Sequence, residues 1–372
     1  MQTVRGRELA AACGFAIVLV VGSPLVGQVR ASVASAFPGS FRLIIGAAIA
    51  TALAGAILFA SFRIRERRAL RYAAIASAVL GAAACARTLR TGNVSVDLVE
   101  AFHFVEYGFL TLLFYLAWHP LRDGAAIALP LLAGLLVAIL DESFQWFVPA
   151  RVGELHDLVI NAAAVICGLL FSVGVKPPAR AGRALQPGSP MRIGGLSAIV
   201  ILTFALFFHA AFLGNDVRDA RIGTFRSRYT AGELEAAARV RADRWRRRPP
   251  LEAGLVSMED QYLSEALWHV VRRNDAVSAG DHFAAWRENR ILETFFAPVL
   301  DASSYAGRNG HRWPAEQRAA LARLAEGDGR PYVSDAEPYP IYAWSKTVFW
   351  LAAALAIAVV MAAARGLQRA QT

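Results

Sequence analysis

Eight separate apolar runs, each long enough to cross a bilayer, constrain this chain more than any other feature. They cover residues 9–26, 41–62, 70–86, 99–118, 125–140, 155–175, 193–213 and 341–364. A helix needs about 17 to 25 apolar residues to cross the hydrocarbon core, and it satisfies its own backbone hydrogen bonds where no water can. The sequence therefore predicts an all-α, polytopic membrane helix bundle of about eight transmembrane helices, with a small helical extracytoplasmic domain. Composition agrees: of 372 residues 56% are hydrophobic and only 18% charged, too apolar for a soluble chain of this length.

The net charge of +10 would suggest a nucleic-acid partner if it lay on a hydrophilic domain, but it does not. Residues 215–340 carry 19 Arg against 19 Asp plus Glu, so the excess belongs to the membrane half and no nucleic acid is expected. There it alternates: 14 Lys plus Arg fall in the termini and every second loop, against Arg30, Arg42, Arg87, Arg90 and Arg151 in the others. Cytoplasmic loops hold the basic excess, which puts both termini in the cytoplasm and residues 214–340 outside. Cys13, Cys85 and Cys167 all lie within apolar runs and imply no disulfide framework. Arg5 and Arg7 before an apolar run, with Ala34, Ser35 and Ala36 after it, resemble a signal peptide. Cleavage would remove the first basic cluster of the alternation, so an uncleaved anchor is expected.

The chain divides into 1–96 with three spans, 97–175 with three spans and a polar cluster, and a Pro-, Gly- and Arg-rich linker at 176–192. A seventh span at 193–213, the outer domain at 214–340 and an eighth span with its tail at 341–372 complete it. In the outer domain Leu263, Ala266, Leu267, Val270 and Val271 mark an amphipathic helix opened by Ser257 and Asp260. A second helix is expected over 279–296, a third from Pro314, and an extended return over 331–342. Glu265 and His269, four apart, read as a solvated surface pair. The run from Trp245 to Arg248 reads as the end of an exposed helix rather than a headgroup-binding patch.

Chemistry concentrates between the fourth and sixth spans. Asp141, Glu142, Gln145, Arg151, His156, Asp157 and Asn161 crowd one turn at bilayer-boundary depth, where an unpaired charge costs up to about 2.5 to 3.5 kcal/mol. His103, Glu106 and Tyr107 share one face of the fourth span, with Asp97 and Glu100 a turn or two earlier. Two readings fit these groups. In one they form a structural network, Arg151 pairing with Glu142 or Asp157 and the others bonding between helices. In the other, Arg151 docks a phosphate or carboxylate with its planar fork, Glu142 or Asp157 orients or deprotonates, and His103 moves the proton. Glu106, Tyr107, Gln145 and Asn161 would then line the binding site. His103, Glu106, Glu142 and Asp157 are also metal-ligand types, with His156 as an extra, but Arg151 opposes a cation there, so neither metal nor cofactor is expected.

The pair HFVEYGFL and DESFQWFVPARVGELHDLVINAAAVICGLL resembles the VanZ-like family of bacterial membrane proteins. The likeness rests on His103, Glu106, Tyr107, Glu142, Gln145, Pro149, Arg151, Asp157 and Asn161 in that order and spacing, over residues 97–171. Ala150 and Ala164 stand where the family commonly has glycine. The resemblance implies a link to low-level resistance to the glycopeptide teicoplanin, which acts on a cell-wall precursor at the outer surface. It does not say whether the protein is an enzyme. An assignment of relatives to phosphotransbutyrylase finds no support, since no Gly-rich phosphate loop follows a strand here.

The reading that results is a protein binding or modifying a membrane lipid or lipid-linked envelope precursor at the outer leaflet of the cell membrane. A non-catalytic scaffold or accessory, meeting another envelope protein through the outer domain, is the alternative. A carrier is the second alternative.

Overall fold

The computed structural model describes residues 4–37, 39–147, 153–178, 184–219, 222–247, 261–301, 310–326, 328–334 and 340–371. It is 77% helical. The elements are α1 (Gly6–Ala36), α2 (Phe41–Arg63), α3 (Arg68–Thr88), α4 (Val94–Trp118), α5 (Ala125–Phe147), α6 (Leu155–Val175) and α7 (Ser189–Phe212). Then come β1 (Asn215–Asp219), β2 (Gly223–Ser227), α8 (Ala231–Arg247), α9 (Gln261–Ser278), α10 (His282–Phe295), α11 (Ala297–Asp301), α12 (Ala315–Leu324), β3 (Val333–Ser334) and α13 (Lys346–Arg369). Eight of these, α1 to α7 and α13, are long and apolar enough to cross a membrane, as expected.

Several boundaries move, α1 running on to Ala36, and two of the shifts have a visible cause. α5 runs past Leu140 to Phe147, so Asp141, Glu142 and Gln145 belong to the helix itself rather than to a loop beyond it. α13 begins at Lys346, because the Tyr342 N–H donates to Phe212 O (2.8 Å) and Tyr342 O accepts from Gly214 (3.1 Å), which commits that backbone to a bridge.

The chain forms two units, Met1–Gln145 with Gly153–Phe207 and Leu351–Thr372, and Trp146–Val152 with Phe208–Trp350. In the first, α4 and α6 cross where Gly108 meets Gly168; a Cβ on Gly168 would stand 2.6 Å from Gly108 Cα. Small residues at a crossing let backbones approach and gain the packing that drives helix association in lipid. Gly134 brings α5 onto Val165 of α6 in the same way, and Gly174 seats α6 against α3. Arg71 of α3 donates to Gly174 O (2.9 Å) and to Val175 O, capping carbonyls at the end of α6 that no helical N–H reaches. α1 lies on α4, with Phe15 edge-on to Phe109 at 5.1 Å. The segment after α6 is tied at both ends: Tyr115 OH donates to Lys176 O (2.6 Å), and buried Asp123 accepts from the N–H of Gln186 (2.7 Å).

The second unit is helical with a small sheet, β1–β2 antiparallel and β2–β3 parallel. The sheet was not expected. NDVRD and GTFRS each offer one inward apolar residue, Val217 and Phe225, too little alternation to mark a strand. α9, α10 and α12 lie where helices were expected; Ser257 and Asp260 fall outside the described residues. α8 does end at Arg247, but Trp245 is buried in the core with Tyr262 and Phe296. The surface reading of Glu265 and His269 is overturned, since each is 1% exposed and they serve different partners. Glu265 accepts from Ser227 Oγ (2.6 Å) and the Arg228 N–H (2.8 Å), while His269 Nδ1 meets Glu288 Oε2 at 2.6 Å. Those partners come from β2, the turn after it, and α10, which one helix's spacing cannot reveal.

Candidate functional site

The polar groups of α4, α5 and α6 meet at one end of the first unit, where α4 begins, α5 ends and α6 begins. They form a buried network and a half-buried rim. At the centre of the network is Glu142, with no exposed surface. Its Oε1 accepts from Asn161 Nδ2 (3.3 Å) and Gln145 Nε2 (3.4 Å), and its Oε2 accepts from the Glu154 N–H (3.1 Å). Glu154 is the residue that caps α6 at its start, so the carboxylate sits at a helix end whose unsatisfied N–H groups favour negative charge. The chain reaches that position only through Gly153, where a Cβ would lie 2.4 Å from Glu142 O. Beside this, buried Tyr107 donates its hydroxyl to Asp141 Oδ2 (3.0 Å), and Thr111 Oγ1 donates to Tyr107 O (2.7 Å).

The rim consists of His103 and Glu106 on α4 and of Glu100, His156 and Asp157 across α4 and α6. His103 Nδ1 is 3.2 Å from Glu106 Oε2, with side chains 21% and 23% exposed; the direction is poor for a hydrogen bond, so the pair interacts by charge when the imidazole is protonated. One ligand-type atom each from Glu100, His156 and Asp157 lie within 4.8 Å of one another.

Of the residues singled out in the sequence, Glu142, Gln145 and Asn161 thus share one network, Tyr107 joins Asp141, His103 joins Glu106, and Asp157 joins Glu100 and His156. Arg151, with Pro149 and Ala150, lies outside the described residues. Ala164 is fully buried in the core shared by α4, α5 and α6. The structure adds Asp141, Glu154 and Glu100 to these groups, and the sequence holds two signals for them. Asp141 and Gln145 are four apart, and Glu100, His103 and Tyr107 follow the three-and-four spacing of one helix face. Glu154 enters through its backbone N–H, which no side-chain pattern announces.

Residues 48–176 match the VanZ/LLP1 family model. The match includes every described residue of the network and rim, and it reaches back through most of α2 and all of α3. No curated protein and no solved structure matches the chain. With eight candidate spans around that segment, the chain is a multi-pass membrane protein that carries a VanZ-like domain over residues 48–176.

Proposed function

We propose that the VanZ-like domain binds or modifies a lipid-linked component of the cell envelope at the outer leaflet, at the end of the bundle where α4 begins and α5 ends. One observation carries this reading: a rim of half-buried ionisable side chains stands over a buried network at a shared end of three apolar helices. Ionisable groups at that depth are costly and are retained where they serve a site. Arg151 supplies a fork for phosphate or carboxylate, and His103 beside Glu106 is the proton-transfer group. The orientation follows from the basic bias of the loops, 14 against 5, and sets residues 214–340 outside. The link to glycopeptide resistance rests on the family likeness.

A scaffold reading is favoured by a different observation, the complete burial of Glu142 with both its oxygens hydrogen-bonded. Arg151→Lys, His103→Ala and Glu106→Gln separate the two. Each is assayed for susceptibility to an envelope antibiotic and for thermal stability in detergent. Folded variants with lost activity support the site, because a point charge cannot reproduce a guanidinium fork. Folded variants with full activity leave the scaffold.

A further inference from the structure

Glu100, His156 and Asp157 stand apart from the buried network in one respect: among the described residues no Lys or Arg pairs with them. Their ligand-type atoms converge within 4.8 Å, from the first turns of α4 and α6. His156 Nε2 is buried without a hydrogen-bond partner among the described residues. Asp157, His156, Asp97 and His103 act on Glu100 through charge alone, and no Lys or Arg is among them. Asp97 is itself engaged, accepting from the N–H (2.9 Å) and hydroxyl (2.8 Å) of Thr91. Two carboxylates and an imidazole with an unpartnered nitrogen, gathered this closely, are the donor set of a cation site.

We infer that Glu100, His156 and Asp157 bind a divalent metal ion of the zinc type. An imidazole with two carboxylates suits a borderline ion such as Zn²⁺ better than Mg²⁺ or Ca²⁺, which take oxygen ligands. Zinc bonds of about 2.0 to 2.2 Å require the three atoms to draw together, which side-chain rotation supplies in half-buried residues. The start of α6 presents the positive end of its dipole and opposes the ion weakly. Two carboxylates outweigh both that and the opposition expected of Arg151. Three protein ligands leave a fourth position open, the arrangement of catalytic rather than structural zinc. The inference concerns ion binding and stands whether or not the bound envelope component is a lipid.

The test uses the full chain in detergent, without a polyhistidine tag and stripped by chelator. Zn²⁺ is titrated against a chromophoric competitor, and Co²⁺ is added separately to read coordination from its visible absorption. One equivalent of Zn²⁺ is expected, with His156→Ala and Asp157→Asn each weakening it more than about 100-fold, beyond the loss of a merely supporting residue. Glu100→Gln weakens it as well, and His282→Ala, in the other unit, does not. Thermal unfolding of each metal-free variant checks the fold; if Asp157→Asn fails to fold, His156→Gln and Glu100→Gln carry the test. Absence of stoichiometric binding by the unaltered chain, or affinity unchanged in folded His156 and Glu100 variants, overturns the site.

Discussion

Gly108 and Gly168 touch backbone to backbone: a Cβ added to Gly168 would stand 2.6 Å from Gly108 Cα and 3.0 Å from its carbonyl oxygen. The contact partner is main chain, which cannot swing aside. Gly168→Ala should therefore push α4 from α6 and cost about 1 to 3 kcal/mol, the usual penalty for overpacking. Thermal unfolding in detergent measures it. Gly195→Ala is the control, since that glycine has open space beside its Cα. Equal stability of the two variants would refute the close crossing.

The division between buried network and rim makes opposite demands on two glutamates. Glu142→Gln turns one accepting oxygen into a donor facing Asn161, Gln145 or the Glu154 N–H, and should cost about 1 to 3 kcal/mol. Glu106→Gln, on a side chain 23% exposed, should stay within about 0.5 kcal/mol. Should both lose the same stability, the two layers are not distinct.

The second unit has its own buried carboxylate. Glu288 meets His269 Nδ1 (2.6 Å), Ser334 Oγ (2.6 Å), the Tyr332 hydroxyl and Arg272 Nε (3.2 Å). Burial alone would raise its pKa, but the His269 charge and these hydrogen bonds prevail and hold it below the ordinary carboxylate value. A carboxyl depressed on folding stabilises fully above its unfolded pKa of about 4.3, and the contribution fades as pH falls through the folded value. Near-ultraviolet circular dichroism of thermal unfolding should show the second unit weakening below about pH 4 in the unaltered chain. Glu288→Ala should destabilise it by about 3 to 5 kcal/mol at neutral pH and flatten that part of the profile. A profile identical in the variant would exclude Glu288 as the source.

Orientation is open to direct labelling. In a background without Cys13, Cys85 and Cys167, cysteine is placed at Ala279 and at Ala184, both exposed. An impermeant thiol reagent added to intact cells should label position 279 and spare position 184 until the membrane is opened. The reverse pattern would invert the topology drawn from the basic residues.

The spans were legible because lipid leaves a chain few alternatives, and runs such as 43–62 contain no charged residue. The end of α5 was less so. Hydropathy drops at Asp141, yet the helix continues, because Tyr107 and Asn161 on neighbouring helices receive its carboxylates. The polar residues of the site could be chosen from spacing along one helix, but their grouping depends on where α4 crosses α6. Hence the closeness of Asp157 to Glu100 and His156 cannot be read from spacing. The β1–β2 hairpin and the burial of Glu265 depend on one another: Ser227 and the Arg228 N–H of that hairpin end are the donors that Glu265 needs.

The Tyr115, Asp123 and Gln186 bonds have a consequence for chain continuity. Each end of the stretch after α6 is held by its own hydrogen bonds, Lys176 O by Tyr115 and the Gln186 N–H by Asp123, while the Gly188 N–H adds a bond to Gln368 Oε1 (2.8 Å). A cut between residues 178 and 184 should therefore leave assembly intact. Two fragments divided there and expressed together should find one another in the membrane, which makes this stretch the natural place to split the protein into complementing halves.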